Sequence, residues 1–290
     1  MPFNLDILKK QLQTACVLEA RARKPGNVHP EFAFVDLCYD DFVLAAQAVS
    51  EVLPGAGQRG VGAAILEAVQ RTRMLVNRPT NPNLGIILLL APLVAVPAEV
   101  SLKQGIEQVL SQLTVDDARQ TYRAIGLANP GGMGKVEEAD VTEAPTISLR
   151  DAMRLAADRD AIASEYVTGF QTVLETGVPF LAGWPHFETD WEAAIIHLQL
   201  TLMQRFPDTL IARKCGPELA QESASRAGAV LDAGGLQTEP GRRELGLLDA
   251  WLRADGHRRN PGTTADLIAA SLFAAARDGM IRFDQLLEKA

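Results

Sequence analysis

The sequence predicts an all-α protein, a single compact multi-helix domain of roughly ten to twelve helices of ordinary length. Three observations predict it. Apolar residues recur at three-four spacing through most of the 290 residues, the period of a one-sided helix. No run of alternating β-branched residues is long enough to require a strand. The chain is 47% hydrophobic, enough to bury a large core, and no stretch has the composition of a flexible linker, so residues 1–290 read as one domain.

Helices are expected in order. Leu5, Leu8, Leu12, Ala15, Cys16 and Leu18 line one face of a first helix over residues 5–21. The same spacing recurs over residues 40–53, 61–76, 84–96, 117–127, 149–157 and 160–174. It returns over 191–203, in the helix after Pro207 that Arg213-Lys214 closes, and over 219–231, 245–251 and 265–276. Residues 84–98 are the longest apolar run, 15 residues containing Pro92 and Pro97. A membrane span needs about 20, so this run reads as a buried core helix. Two stretches break the helical pattern: residues 129–146, rich in Gly, Pro and acids, and residues 176–190, with Gly177, Pro179, Gly183 and Pro185.

Composition excludes several classes. The formal net charge of −8 opposes a duplex nucleic-acid binder, which draws on a broad basic face, but is no bar to a small nucleotide. The N-terminus lacks the basic flank and apolar stretch of a secretory signal, so a cytoplasmic protein is expected. Cys16, Cys38 and Cys215 are widely spaced, and the four histidines include no His-Glu-x-x-His pair, so no zinc is assigned.

Chemistry is expected in five polar segments: Lys24-Pro25-Gly26-Asn27-Val28-His29-Pro30, Asn81-Pro82-Asn83-Leu84-Gly85, Asn129-Pro130-Gly131-Gly132-Met133-Gly134, Arg213-Lys214-Cys215-Gly216-Pro217 and Asn260-Pro261-Gly262-Thr263-Thr264-Ala265-Asp266. Five of the seven asparagines fall here, three of them before proline. Asn-Pro suits a helix start, the carboxamide capping free amides and the proline already holding a helical φ. Several such N-termini gathered together would suit phosphates. Gly26 permits an unusual backbone angle beside Asn27, and Lys24 supplies a point charge. Arg213 and Lys214 either face a helix C-terminus or bind phosphate, and Thr263 and Thr264 can donate to phosphate or ribose. Gly131 to Lys135 fails the P-loop spacing. Glu137, Glu138 and Asp140 just beyond are candidate Mg²⁺ ligands with a bound nucleotide, or a solvated acidic loop.

Taken in order, these segments resemble the triphosphoribosyl-dephospho-coenzyme A synthases, as a divergent branch. The likeness rests on Glu19 with Lys24-Pro25-Gly26-Asn27-Val28, on Thr80 to Gly85, on Asp208-Thr209-Leu210-Ile211-Ala212-Arg213, and on Asn260 to Leu267. It implies an all-α enzyme that takes ATP, with Mg²⁺, and 3'-dephospho-coenzyme A, transfers a triphosphoribosyl unit and releases adenine. The product would be the prosthetic-group precursor of citrate lyase or malonate decarboxylase. Lys24, Arg213 and Lys214 would hold phosphates beside the caps at Asn81 and Asn260. Glu19, Asp40, Asp208 and Asp266 would be the candidates for base catalysis or metal ligation. Two segments depart from the family: Asn83 and Leu84 stand where it has His and Lys, and Gly134-Lys135-Val136-Glu137 stands where it has Arg-Gly-Glu-Ala. Those departures keep two alternatives open, a related glycosyl transfer to a pterin or folate analogue and a non-catalytic nucleotide-binding protein.

Overall fold

The computed structural model describes residues 4–129 and 145–283. Its regular structure is α-helical; the β pairing among the described residues is one isolated antiparallel bridge between His29 and Phe32. The expected all-α fold is therefore observed. Fifteen α-helical segments occur among the described residues, ten of them of ten residues or more. No helix among the described residues is long and apolar enough to cross a membrane.

Local chemistry sets the ends of the first half. Helix α1 (Leu5–Arg21) starts where the Asn4 side chain accepts from the amides of Asp6 and Ile7. In α2 (Tyr39–Val52), Asp41 reaches back to the Cys38 amide at 2.8 Å. A short α3 (Ala56–Arg59) ends at Gly60, whose φ of 93° breaks the chain before α4 (Val61–Val76). Next comes α5 (Leu84–Ala95), buried almost throughout. Pro92 has no N–H to give the Leu88 carbonyl, and the Tyr166 hydroxyl donates to that oxygen instead at 2.6 Å. A helix the periodicity did not predict, α6 (Leu102–Ser111), follows. Leu102, Ile106 and Leu110 form its buried face, and at Gly105 Val96 packs where a β-carbon would stand.

Beyond it, α7 (Val115–Ala128) opens with a reciprocal Thr114–Asp117 capping box and ends at Asn129 in the left-handed conformation. Helices α8 (Leu149–Arg154) and α9 (Ala161–Thr168) are short. Residues 176–190, expected to be irregular, are largely helical: a π turn over Val173–Gly177 runs into α10 (Val178–Gly183), and α11 (Phe187–Arg205) begins at once. Pro179 sits in the first turn of α10, where its missing N–H costs nothing. The chain closes with α12 (Thr209–Cys215), α13 (Pro217–Asp232), α14 (Glu239–Arg253) and α15 (Gly262–Arg277).

Two apolar clusters share α11. Ile195, Leu198 and Leu202 join the larger one, built on α1, α4, α5 and the almost wholly buried α15. Ile196, Leu200 and Met203 on the opposite face join a smaller cluster with Ile211, Val230, Leu248 and Leu252. Because α5 and α15 are buried all round, their N-termini are held rigidly, and both open into the same cavity.

Candidate functional site

A cavity of about 990 Å³ lies between the end of α1, the loop after it, the start of α5, helices α7 to α9, α12 and the start of α15. Its size is at the upper end of ligand pockets, which run to about 1,000 Å³. Helix α7 and the α8 region give apolar wall: Tyr122, Ile125, Met153 and Leu155. Helices α12 and α15 give polar wall: Thr209, Arg213, Lys214, Thr263 and Asp266.

The four candidate acids separate by environment. Asp266 is partly exposed, lines the cavity and makes no hydrogen bond or ion pair among the described residues. Burial, and then the negative charges of Glu19, Asp208 and Asp160, push its carboxyl well above the usual aspartate range, against the opposing pull of Arg213. Glu19 also lines the cavity, and its Oε1 is 2.9 Å from Lys24 Nζ. Asp208 is a clamp behind the wall. Its Oδ1 accepts from the Leu210 and Ile211 amides, capping α12, and its Oδ2 accepts from the Thr264 amide and hydroxyl, both at 2.8 Å, capping α15. Burial raises its carboxyl in spite of these donors. Asp40 is exposed in the first turn of α2, outside the cavity lining.

The candidate cations also divide. Lys24 is fully buried and spends its ammonium on the Glu19 carboxylate and the Glu19 carbonyl oxygen, so it holds an acid in place behind the wall. Arg213 and Lys214 do face the cavity. Arg213 Nη1 is 3.4 Å from Asp160 Oδ2, and burial with the neighbouring Arg213 charge lowers the Lys214 ammonium.

Among the amides and hydroxyls, Asn27, Asn81, Asn83, Asn260 and Thr263 line the cavity, while Gly26 and Thr264 do not. Gly26 gives its amide to Asp249 at 2.8 Å. Asn81 caps α5 as expected, its Oδ1 accepting from the Leu84 amide at 3.0 Å. Asn260 does not cap α15; Asp208 takes that place, and Asn260 Oδ1 accepts from Asn27 Nδ2 at 2.6 Å. Asn83 turns its Nδ2 to the Ala45 carbonyl and the Thr72 hydroxyl, both at 3.3 Å. The Thr209 hydroxyl donates to Thr263 Oγ1 at 3.2 Å, which leaves the Thr263 proton for the cavity.

Thr209 and Gly85 stood in the quoted segments without a role of their own, and Asp160, also in the wall, stood in none of them. Asp160 caps α9 through Oδ1 while its Oδ2 faces Arg213. An Asp directly after Arg159 carries no signal of that double use; an Asp directly before a helical run does signal the cap. Among the described residues no group of three or more His, Cys, Asp or Glu side chains is placed to hold a metal ion. Glu137, Glu138 and Asp140 lie outside the described residues.

Comparison with known proteins shows the family. A model of the CitG family, ATP:dephospho-CoA triphosphoribosyl transferase, matches residues 6–283. A "probable 2-(5''-triphosphoribosyl)-3'-dephosphocoenzyme-A synthase" of Stutzerimonas stutzeri is 34% identical over 105 residues, 36% of this chain and 36% of its own. A protein of the same name from Pseudomonas fluorescens is 36% identical over 126 residues, 43% of this chain and 40% of its own. The chain thus matches well under half the length of these curated relatives. A crystal structure from Archaeoglobus fulgidus, assigned as a triphosphoribosyl-dephospho-CoA synthase, superposes with a TM-score of 0.63 at 26% identity. That superposition covers 82% of this chain and 99% of the other.

Proposed function

This chain belongs to the ATP:dephospho-CoA triphosphoribosyl transferase family, and from that premise we propose that its cavity transfers the triphosphoribosyl unit of ATP to a ribose hydroxyl of 3'-dephospho-CoA. The observation that carries the reading is Asp266, a carboxylate without a protein partner among the described residues, facing a cavity that also presents Arg213 and Lys214. A raised carboxyl suits a general base, which must both take a proton and give it back.

In the proposed step the acceptor oxygen bonds to C1′ of ATP and the C1′–N9 bond breaks, its electron pair leaving with adenine. The hydroxyl proton passes to Asp266 and then to the departing base. Glu19, pinned by Lys24, offers negative charge to the oxocarbenium character that develops at C1′. Arg213 and Lys214 hold phosphate oxygens, helped by the Thr263 hydroxyl. The apolar wall of Tyr122, Ile125, Met153 and Leu155 suits the aliphatic arm of the acceptor. Asp208 and Asp40 take structural roles. Magnesium enters as a companion of the ATP phosphates, the usual way this ion is held; the described residues offer no cage of their own.

The test is incubation with ATP, Mg²⁺ and 3'-dephospho-CoA followed by mass spectrometry. The expected products are adenine and an acceptor heavier by one triphosphoribosyl unit. Adenine release with no such adduct would assign a different acceptor, and ATP binding without adenine release would exclude the transfer.

A further inference from the structure

The hydrogen bond from Asn27 Nδ2 to Asn260 Oδ1 joins two side chains of the cavity wall. Alone, such a pair has two arrangements, because turning a carboxamide over exchanges its donor and acceptor ends. Gln199 on α11 removes the choice. Its side chain is fully buried, and its Nε2 lies 3.0 Å from the Pro25 carbonyl oxygen, which can only accept. The end of Gln199 facing Pro25 must therefore be nitrogen. The same Nε2 is 2.8 Å from Asn27, so the Asn27 atom there must be oxygen. Asn27 then turns its nitrogen to Asn260, which must answer with oxygen, and the Asn260 nitrogen remains for the cavity. That nitrogen makes no hydrogen bond among the described residues. Arg253 braces the relay by donating from Nη2 to the Asn27 carbonyl at 2.9 Å.

We propose that Gln199 is a positioning residue: through Asn27 it makes Asn260 an obligate donor toward the cavity, set for an acceptor-only atom of the bound nucleotide. A phosphate oxygen and a purine ring nitrogen share that chemistry. A hydroxyl or an amino group would not need the orientation fixed, since the first can accept or donate and the second needs the other end. The inference rests on the reading of the cavity as a nucleotide site.

The test measures ATP KM, kcat and melting temperature for Gln199→Met, Asn260→Ala and the double variant. Asn260→Ala should raise KM about tenfold, one charge-assisted hydrogen bond, and Gln199→Met about threefold, with kcat held within about twofold in both. The double variant should match Asn260→Ala alone, because Gln199 acts only through that donor. Multiplying effects, or a folded Gln199→Met with unchanged KM, would overturn the proposal. Should Gln199→Met fail to fold, Asn27→Asp serves. It keeps the bond from Gln199, accepts where Asn27 donated, and so turns the Asn260 oxygen to the cavity. Its KM should rise beyond that of Asn81→Asp, which adds the same charge to the same wall; an equal rise would overturn the relay. Inorganic triphosphate and adenosine as competitors of Asn260→Ala separate the two acceptors, the one that loses affinity being the partner of Asn260. A wild-type protein that binds no ATP by calorimetry would sink the nucleotide reading itself; ATP binding equal in wild type and Asn260→Ala would sink only the relay.

Discussion

Asp266 is seated on the main chain of Gly85: a β-carbon at that glycine would overlap Oδ2 and come within 2.5 Å of the Asp266 Cγ. Any side chain at position 85 must displace the acid. Gly85→Ala is expected to lower kcat/KM for adenine release by on the order of 10²-fold, the cost of roughly an ångström of misplacement. Overpacking should also reduce stability by about 1–3 kcal/mol. Adding Asp266→Ala to that variant should recover the melting temperature without the activity. Wild-type activity in Gly85→Ala would remove Asp266 from the chemistry.

Asp266 also makes a stability prediction with a defined sign. Its folded carboxyl is raised, chiefly by burial and then by Glu19, so below the ordinary aspartate value of about 3.9 both states hold the proton and nothing is lost. As pH climbs, the unfolded chain ionises freely while the folded one resists, and stability falls until pH passes the folded value. Asp266→Asn should therefore melt higher than wild type at neutral pH, with the gap closing toward pH about 4. It should be inactive. Thermal scans across pH with parallel adenine-release assays check both; a gap that widens toward low pH would refute the burial argument.

The buried pair of Lys24 and Glu19 predicts a double-mutant cycle. Lys24→Met strands a carboxylate without its counter-charge, which costs about 3–5 kcal/mol. Adding Glu19→Gln should recover most of that, since a neutral buried pair avoids the desolvation cost of two ions. Denaturant titration reads the outcome. Failure of Glu19→Gln to rescue would show that Lys24 stabilises the fold by something other than its charge pairing with Glu19.

What the sequence made legible follows from how local each cause is. Helix α4 was expected over its observed bounds from its apolar spacing, and the structure shows the causes of its ends, Gly60 before it and Asn77 after it, to lie beside the run. Helix α6 was not among the expected helices although its causes are as local, since Leu102, Ile106, Val109 and Leu110 keep the three-four spacing. At the site, the segments that line the cavity were marked by their Asn, Pro and Gly content, yet partners were not. Asp208 caps a helix 56 residues away, which displaced Asn260 from that duty. Lys24 looked like a surface charge in a turn and is instead sealed against Glu19, because its turn folds back onto α1.

Tyr166 and Pro92 give a prediction independent of function. The proline deprives the Leu88 carbonyl of its helical donor, and the buried Tyr166 hydroxyl replaces it. Tyr166→Phe leaves that oxygen unsatisfied in the core and should cost about 1–3 kcal/mol. In a Pro92→Ala background the helix supplies its own N–H, so the same substitution should cost distinctly less. Equal costs in the two backgrounds, read by chemical denaturation, would show that the hydroxyl does not compensate for the proline.

Arg213 is expected to act on both substrate and base. Facing the cavity beside Asp160, it can give a phosphate a charge-assisted hydrogen bond worth about 1.5–3 kcal/mol. Arg213→Ala should thus raise the ATP dissociation constant by roughly 10- to 150-fold in calorimetry. Its positive charge also pulls the Asp266 carboxyl down, so its removal lets that group rise further. The acidic limb of the pH–rate profile, where Asp266 must lose its proton to act as base, should move to higher pH in Arg213→Ala. Arg213→Lys keeps the charge but not the planar fork, so it should weaken ATP binding while leaving the limb close to its wild-type position. A limb unmoved in Arg213→Ala would separate the base from this arginine, even if nucleotide affinity fell as expected.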